Sequence, residues 1–331
     1  ISTALTVLSM MVSCTSGDGQ PAYKNPNLSV EKRVNDLIKR MTLDEKILQL
    51  NQYSAGKIDN PNNINEITKQ LPPGIGSVIY HNQDPELRNR LQHQAMEETR
   101  LGIPIIFAYD VIHGFRTTFP IPLAQAASWN TDLVTEACSV AAREAWLAGI
   151  DWVFSPMIDV ARDGRWGRIA EGYGEDPYTT ARFAVAAVKG YQGDDMKKEG
   201  KVVATLKHYA GYGACDGGRD YGYTEVSQQT LWDTYLPPYE AAVKAGAKTV
   251  MSAFTNLSGT PVTMSHYMLT DILKEKWGHQ GYVVSDWGAI GQLIAQGAAA
   301  DSTDAAMKAF SAGLEMDMCS DCYGKFMKKL V

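Results

Sequence analysis

From residue 75 onward, short apolar runs alternate with longer amphipathic stretches. The runs fall at 75–80, 103–110, 150–159, 202–209, 249–254, 282–286 and 313–318, each of strand length. Between them, stretches such as 85–100, 132–148, 227–245 and 266–277 carry apolar residues at helical spacing. Residues 29–53 precede this alternation, with Val30, Val34, Leu37, Ile38, Met41, Ile47, Leu48 and Leu50 on a helical period broken by a cap at Thr42. Seven β/α units without a break in composition predict an α/β protein, a (β/α)8 TIM barrel. On this reading the eighth strand is missing and the barrel is incomplete at its C-terminus. Parallel strands need helical crossovers and a closed sheet has no edges, so a barrel is favoured over the alternative, an open doubly wound sheet, which also lacks its phosphate loop here.

The polar residues gather at the ends of these runs. Asp110, Asp159, Lys207 with His208, and Asp286 each fall at or near the C-terminal end of a predicted strand. In a TIM barrel that is the face on which active sites are built. One such charge could be an ordinary loop residue; recurrence on several strands predicts one convergent polar site. Asp286, in Val-Val-Ser-Asp-Trp-Gly-Ala-Ile, is placed to attack an anomeric carbon, and reads equally well as an N-cap for the stretch 288–299. Lys207 and His208 could grip vicinal hydroxyls and lower the pKa of a neighbouring carboxylate, or serve in a structural salt bridge. Asp110 offers two acceptor oxygens to sugar hydroxyls, whereas His113 reads as a loop histidine. The segment 162–177 is dense in Arg, Gly and carboxylates, and most of its charges are expected to hold the loop together, with at most one Arg reaching a ligand.

Composition narrows the partners. A net charge of −6 without a long Lys/Arg cluster argues against nucleic acid. Seven Trp and sixteen Tyr are more than a core of this size needs, although packing remains the commoner role for any single ring. The first residues form a short apolar run ending at Ser13-Cys14, followed by a polar stretch, which reads as an export leader and linker over 1–28 with lipid attachment at Cys14. That predicts a periplasmic or outer-membrane, lipid-anchored protein. Of the other cysteines, Cys319 and Cys322 form a lone Cys-x-x-Cys pair with no second pair or nearby His to complete a zinc set, which disfavours metal or redox chemistry there and leaves a local disulfide in an oxidising compartment as the alternative.

Five motifs then occur in order: Ala-Tyr-Asp110-Val-Ile-His-Gly, Asp163-Gly-Arg-Trp-Gly-Arg168, Glu171-Gly-Tyr-Gly-Glu-Asp-Pro177, Lys207-His208-Tyr and Val-Ser-Asp286-Trp-Gly-Ala-Ile. This order resembles glycoside hydrolase family 3, over residues 29–331, and is most similar to its periplasmic β-glucosidase branch. The resemblance implies a retaining mechanism with Asp286 as nucleophile and a terminal sugar bound by Asp110, Arg168, Lys207 and His208. It implies further that Arg116 and Met251 line the same subsite and that Trp287 flanks the leaving-group sugar. Phe254 stands where many members carry Tyr, keeping an aromatic wall without a hydroxyl. The expected substrates are β-linked oligosaccharides or glucosides, with no metal or organic cofactor. The expected acid/base is a Glu from a domain following the barrel, beyond Val331. Bacterial N-acetylglucosaminidases of the family carry an Asp-x-His loop after the Lys-His motif; no His follows His208 here until His266, which disfavours that branch. β-Xylosidase activity, phosphorolysis and a catalytically inactive sugar-binding protein are the alternatives to a β-glucosidase.

Overall fold

The computed structural model describes residues 20–55, 71–81 and 83–331, so Cys14 and residues 1–19 of the expected leader lie outside it. The chain divides into two units, 1–46 and 47–331. In the first, helix Val30–Arg40 starts at Ser29, whose hydroxyl accepts the Lys32 N–H at 3.4 Å. Glu31 in its first turn and Lys39 and Arg40 in its last complement the helix dipole. Among the described residues no helix is long and apolar enough to cross a membrane.

The described residues of the second unit form eleven strands: β1 (Asn51–Ala55), β2 (Ser77–Tyr80), β3 (Ile106–Tyr109), β4 (Trp152–Val153), β5 (Val203–Tyr209), β6 (Tyr223–Thr224), β7 (Thr249–Ser252), β8 (Asn256–Leu257), β9 (Thr260–Pro261), β10 (Tyr282–Ser285) and β11 (Asp317–Met318). Eight of them form one sheet in the order β10-β7-β5-β4-β3-β2-β1-β11, and every pairing between named strands in it is parallel. Its two ends meet: Val284 bridges Met316, the Ser285 N–H donates to the Met316 carbonyl at 2.8 Å, and the Glu315 N–H donates to the Val283 carbonyl at 3.0 Å.

The barrel class is as expected, but its eighth strand is the first in the chain rather than one beyond Val331. The helical period over 29–53 conceals this strand. Asn51 and Gln52 are polar yet only 1% exposed, so hydropathy does not mark it either. Their amides are satisfied locally: Asn51 Nδ2 donates to the Ile47 carbonyl at 2.6 Å, and Gln52 Nε2 donates to Ser77 Oγ at 2.8 Å.

The barrel interior is packed by Ile79, Ala108, Trp152, Phe154, Met251, Val284, Met316 and Met318, all buried and drawn from successive strands or the residues beside them. The indole Nε1 of Trp152 finds two hydroxyls there, Thr205 at 2.6 Å and Thr249 at 3.0 Å, so a large ring is buried without an orphaned donor. Outer helices start where Asx caps predict them. Asp84 and Asp176 cap Pro85–Glu97 and Pro177–Gln192, each with Pro in the first turn, and Asn130 caps Thr131–Leu147. A second sheet, β6-β8-β9, ties the segment after β5 to the segment after β7 and so frames one wall of the barrel mouth.

Candidate active site

At the C-terminal ends of the barrel strands, polar side chains from β3, β4, β5 and β10 converge. Lys207 Nζ donates to Asp110 Oδ1 at 2.7 Å; the lysine side chain is 5% exposed and the aspartate 58%. The next residue, His208, is buried and lies between two carboxylates. Its Nδ1 is 2.8 Å from Asp159 Oδ2 and its Nε2 is 3.5 Å from Asp286 Oδ2. Consecutive residues of a regular strand point to opposite faces, yet both of these meet polar partners at the strand end. The β5–β7 register shifts between Leu206 and Tyr209, and such an irregularity re-aims side chains.

Asp286 follows β10 directly. Its Oδ1 accepts the Trp287 N–H at 2.6 Å, while its buried Oδ2 has no hydrogen-bond partner. It does not cap the following helix: Ala289–Ala295 has Gly288 at its N-cap, at φ +66 where glycine carries no steric penalty, and no side chain caps it. Burial pushes the Asp286 carboxyl up to about 6, while the Trp287 N–H and the Lys207 and Arg168 cations oppose the rise and the Asp110 charge adds to it. Burial also pushes Asp159 up, against the His208 backbone N–H that bonds it. For His208, burial together with the Arg168 and Lys207 cations holds the ring well below the ordinary histidine range, so it is neutral at neutral pH.

Arg168 is fixed by a fork of bonds to Glu171, Nε to Oε1 at 2.7 Å and a terminal nitrogen to Oε2 at 2.9 Å, and lies over the Tyr212 ring, 5.6 Å from its centroid. Glu171 is thus committed to bracing the arginine. Arg165 pairs with Asp163, 2.6 Å apart, so the charges of this loop are largely spent on one another. Phe254 is buried, packs in a cluster with Trp166, Tyr212 and Ala289, and meets the Tyr221 ring edge-on at 4.6 Å. Trp287 presents half its surface to solvent. Met251 lies in the barrel core beneath the mouth. Arg116 is exposed; its backbone N–H donates to Glu144 at 2.8 Å and its guanidinium lies over Phe115, 5.3 Å from the centroid. Neither contact ties it to the Lys207–Asp286 cluster.

Several groups at this face escaped the sequence reading. Ser54 Oγ and His81 Nε2 are 3.0 Å apart at the ends of β1 and β2, and the His81 ring meets Tyr109 edge-on. His81 directly follows the apolar run 75–80, the same strand-end signal that marked Asp110. Tyr239 donates to Asp159 Oδ1 at 3.1 Å from an outer helix, and nothing local in the sequence announces that reach. Cys319 and Cys322 are free thiols rather than a disulfide, one directed at the Gln52 carbonyl and the other at the start of helix Cys322–Phe326. Among the described residues no group of three or more His, Cys, Asp or Glu is placed to hold a metal ion.

Barrel, strand-end carboxylates and motif order define a class, and residues 42–331 match the glycosyl hydrolase family 3 N terminal domain. The chain belongs to that family. It is 42% identical over 312 residues to a periplasmic β-glucosidase of Salmonella typhimurium, a match covering 93% of this chain and 40% of that one. It is 34% identical to a putative β-xylosidase of Formosa agariphila, covering 93% of this chain and 44% of the other. Among solved structures, a β-glucosidase from Listeria innocua superposes with a TM-score of 0.86 at 37% identity, over 92% of this chain and 44% of that one. A mutant of the Listeria enzyme has been solved with laminaribiose bound. The chain thus spans less than half the length of these relatives.

Proposed function

We propose that this chain carries the nucleophile and terminal-sugar subsite of a retaining β-glucosidase. The observation that carries the reading is the state of Asp286: buried, one oxygen held by the Trp287 N–H, the other unpartnered beside His208. An unpaired buried carboxylate oxygen costs stability, and an oxygen left open at the mouth of the barrel is suited to attack on an anomeric carbon. In this reading Asp110, Lys207, His208 and Arg168 grip the hydroxyls of the terminal sugar. Phe254 and Met251 close the subsite, and Trp287 flanks the leaving group. Arg116 has the weakest support, because it is exposed and engaged with Phe115. A mechanism-based 2-deoxy-2-fluoroglucoside should label Asp286, detected by peptide mass spectrometry; a label on Asp110 or Asp159 would assign the nucleophile elsewhere.

β-Xylosidase activity is the second reading, favoured by the likeness to the Formosa protein. Paired kcat/KM values on nitrophenyl glucoside and xyloside separate the two. Residues 1–28 are an export leader and linker in this proposal, and the Salmonella relative's periplasmic name supports export to that compartment. Lipid attachment at Cys14 is decided by mass spectrometry of protein made with its native leader.

The Asp286 carboxyl sets an expected pH profile. Attack needs its ionised form, so kcat/KM on 2,4-dinitrophenyl β-glucoside, whose leaving group departs without a proton, should fall as pH drops through about 6. A profile flat down to pH 4 would separate the rate from Asp286 ionisation.

A further inference from the structure

We infer that Asp159 is a positioning residue that fixes the tautomer of His208, so that the unprotonated Nε2 faces Asp286 and leaves the nucleophilic oxygen free of any donor. The inference rests on Asp286 being the nucleophile. Asp159 is buried and occupied on both oxygens. Oδ2 takes the His208 backbone N–H at 3.0 Å and lies 2.8 Å from His208 Nδ1, and Oδ1 accepts the Tyr239 hydroxyl at 3.1 Å. The bond to the backbone amide aligns the carboxylate with the residue whose ring it orients, and Tyr239 prevents it from turning away. With the proton on Nδ1, a neutral ring leaves a lone pair on Nε2, pointing at Asp286 Oδ2 from 3.5 Å. Two acceptors then face one another, which accounts for an Oδ2 that is buried and has no partner.

The opposite tautomer would do the reverse. A proton on Nε2 would donate to Oδ2, pair the nucleophile, lower its pKa and blunt its attack. In the inferred state, a sugar hydroxyl arriving beside the pair can donate to His208 Nε2 while Asp286 Oδ2 stays open toward the anomeric carbon. The groups facing His208 and Asp286 from the surrounding elements are the Asp159 carboxyl after β4, which burial pushes up to about 7, and the charges of Lys207 on β5, Arg168 in the intervening loop and Asp110 after β3. Tyr239, Tyr221 and Tyr212 are the nearby phenols, and the Tyr212 ring meets the His208 ring edge-on with centroids 5.0 Å apart. Lys207 and Arg168 bond Asp110 and Glu171 rather than the His208 ring, so the ring's proton position is left to Asp159.

The test reads the ring directly. Nitrogen-15 NMR of histidine-labelled protein at pH 7 should show His208 protonated at Nδ1 alone. A ring protonated at Nε2, or at both nitrogens, overturns the inference whatever the activity, and includes the case of a protonated Asp159 donating to Nδ1. In Asp159→Ala the Nε2–H form should appear, kcat on 2,4-dinitrophenyl β-glucoside should fall at least about tenfold, and the acid limb should move down by about one pH unit. Asp159→Asn can still accept from Nδ1–H through its amide oxygen, with the Tyr239 hydroxyl turning to accept from the amide nitrogen. It should restore the Nδ1–H signature and most of the loss. A folded alanine variant with the wild-type signature and acid limb would reduce Asp159 to packing. If fluorosugar labelling misses Asp286, the proposed nucleophile fails while the tautomer measurement still stands.

Discussion

Asp286→Asn should abolish turnover of 2,4-dinitrophenyl β-glucoside and raise the melting temperature at pH 7. The first effect follows from removing the unpartnered carboxylate oxygen at the site. The second follows from linkage. Burial raises the folded-state pKa from 3.8 to about 6. A carboxyl raised in this way stabilises the fold fully below its unfolded pKa, and that contribution is lost as pH rises through 6. At pH 7 the charged form therefore costs about 3 kcal/mol relative to a neutral group, since each tenfold change in acidity is worth ~1.4 kcal/mol. Asparagine keeps an oxygen for the Trp287 N–H and turns an N–H toward His208 Nε2. For a unit of this size, relief of that cost corresponds to a rise in Tm of about 5 °C or more. The gain should shrink toward pH 4, where the wild-type carboxyl is itself protonated. Unchanged or lower Tm at pH 7 in a folded variant would show that the buried charge is compensated by groups not identified above.

Lys207→Ala should lower kcat/KM by at least about tenfold with little change in Tm. A hydrogen bond from a charged group to a buried sugar hydroxyl contributes about 1.5–3 kcal/mol, which is that factor or more. The folding cost is small because of how the ion pair is exposed. The Lys207 side chain is 5% exposed, but its partner Asp110 is 58% exposed and returns to water when the lysine is gone. Breaking most buried pairs strands the partner charge; Asp110 is not stranded, and the cost that remains is the weaker compensation of the Asp286 charge. Lys207 also pulls the Asp286 pKa down, so its removal should move the acid limb of the pH profile above about 6. Normal kinetics with a large fall in Tm would make Lys207 a structural residue.

The fold class was legible in the sequence because parallel strands buried on both faces are continuous apolar runs, and the crossovers between them carry a helical period. Strand β1 was not, since Asn51 and Gln52 are buried polar residues whose partners, Ile47 and Ser77, are visible only in three dimensions. With β1 went the Ser54–His81 pair. Asp110, Lys207, His208 and Asp286 were legible as strand ends, because a closed parallel barrel gathers all its C-terminal ends on one face. Tertiary structure decided what they touch. It gave Asp286 an open oxygen rather than a helix to cap, whereas the pairing of Arg168 with Glu171 agrees with the expectation that the charges of 162–177 hold their loop together. It also set Asp159 and Tyr239 behind His208. Local pattern fixes which residues arrive at the barrel mouth. Their partners come from elements 49 and 80 residues away, and no local period encodes such contacts.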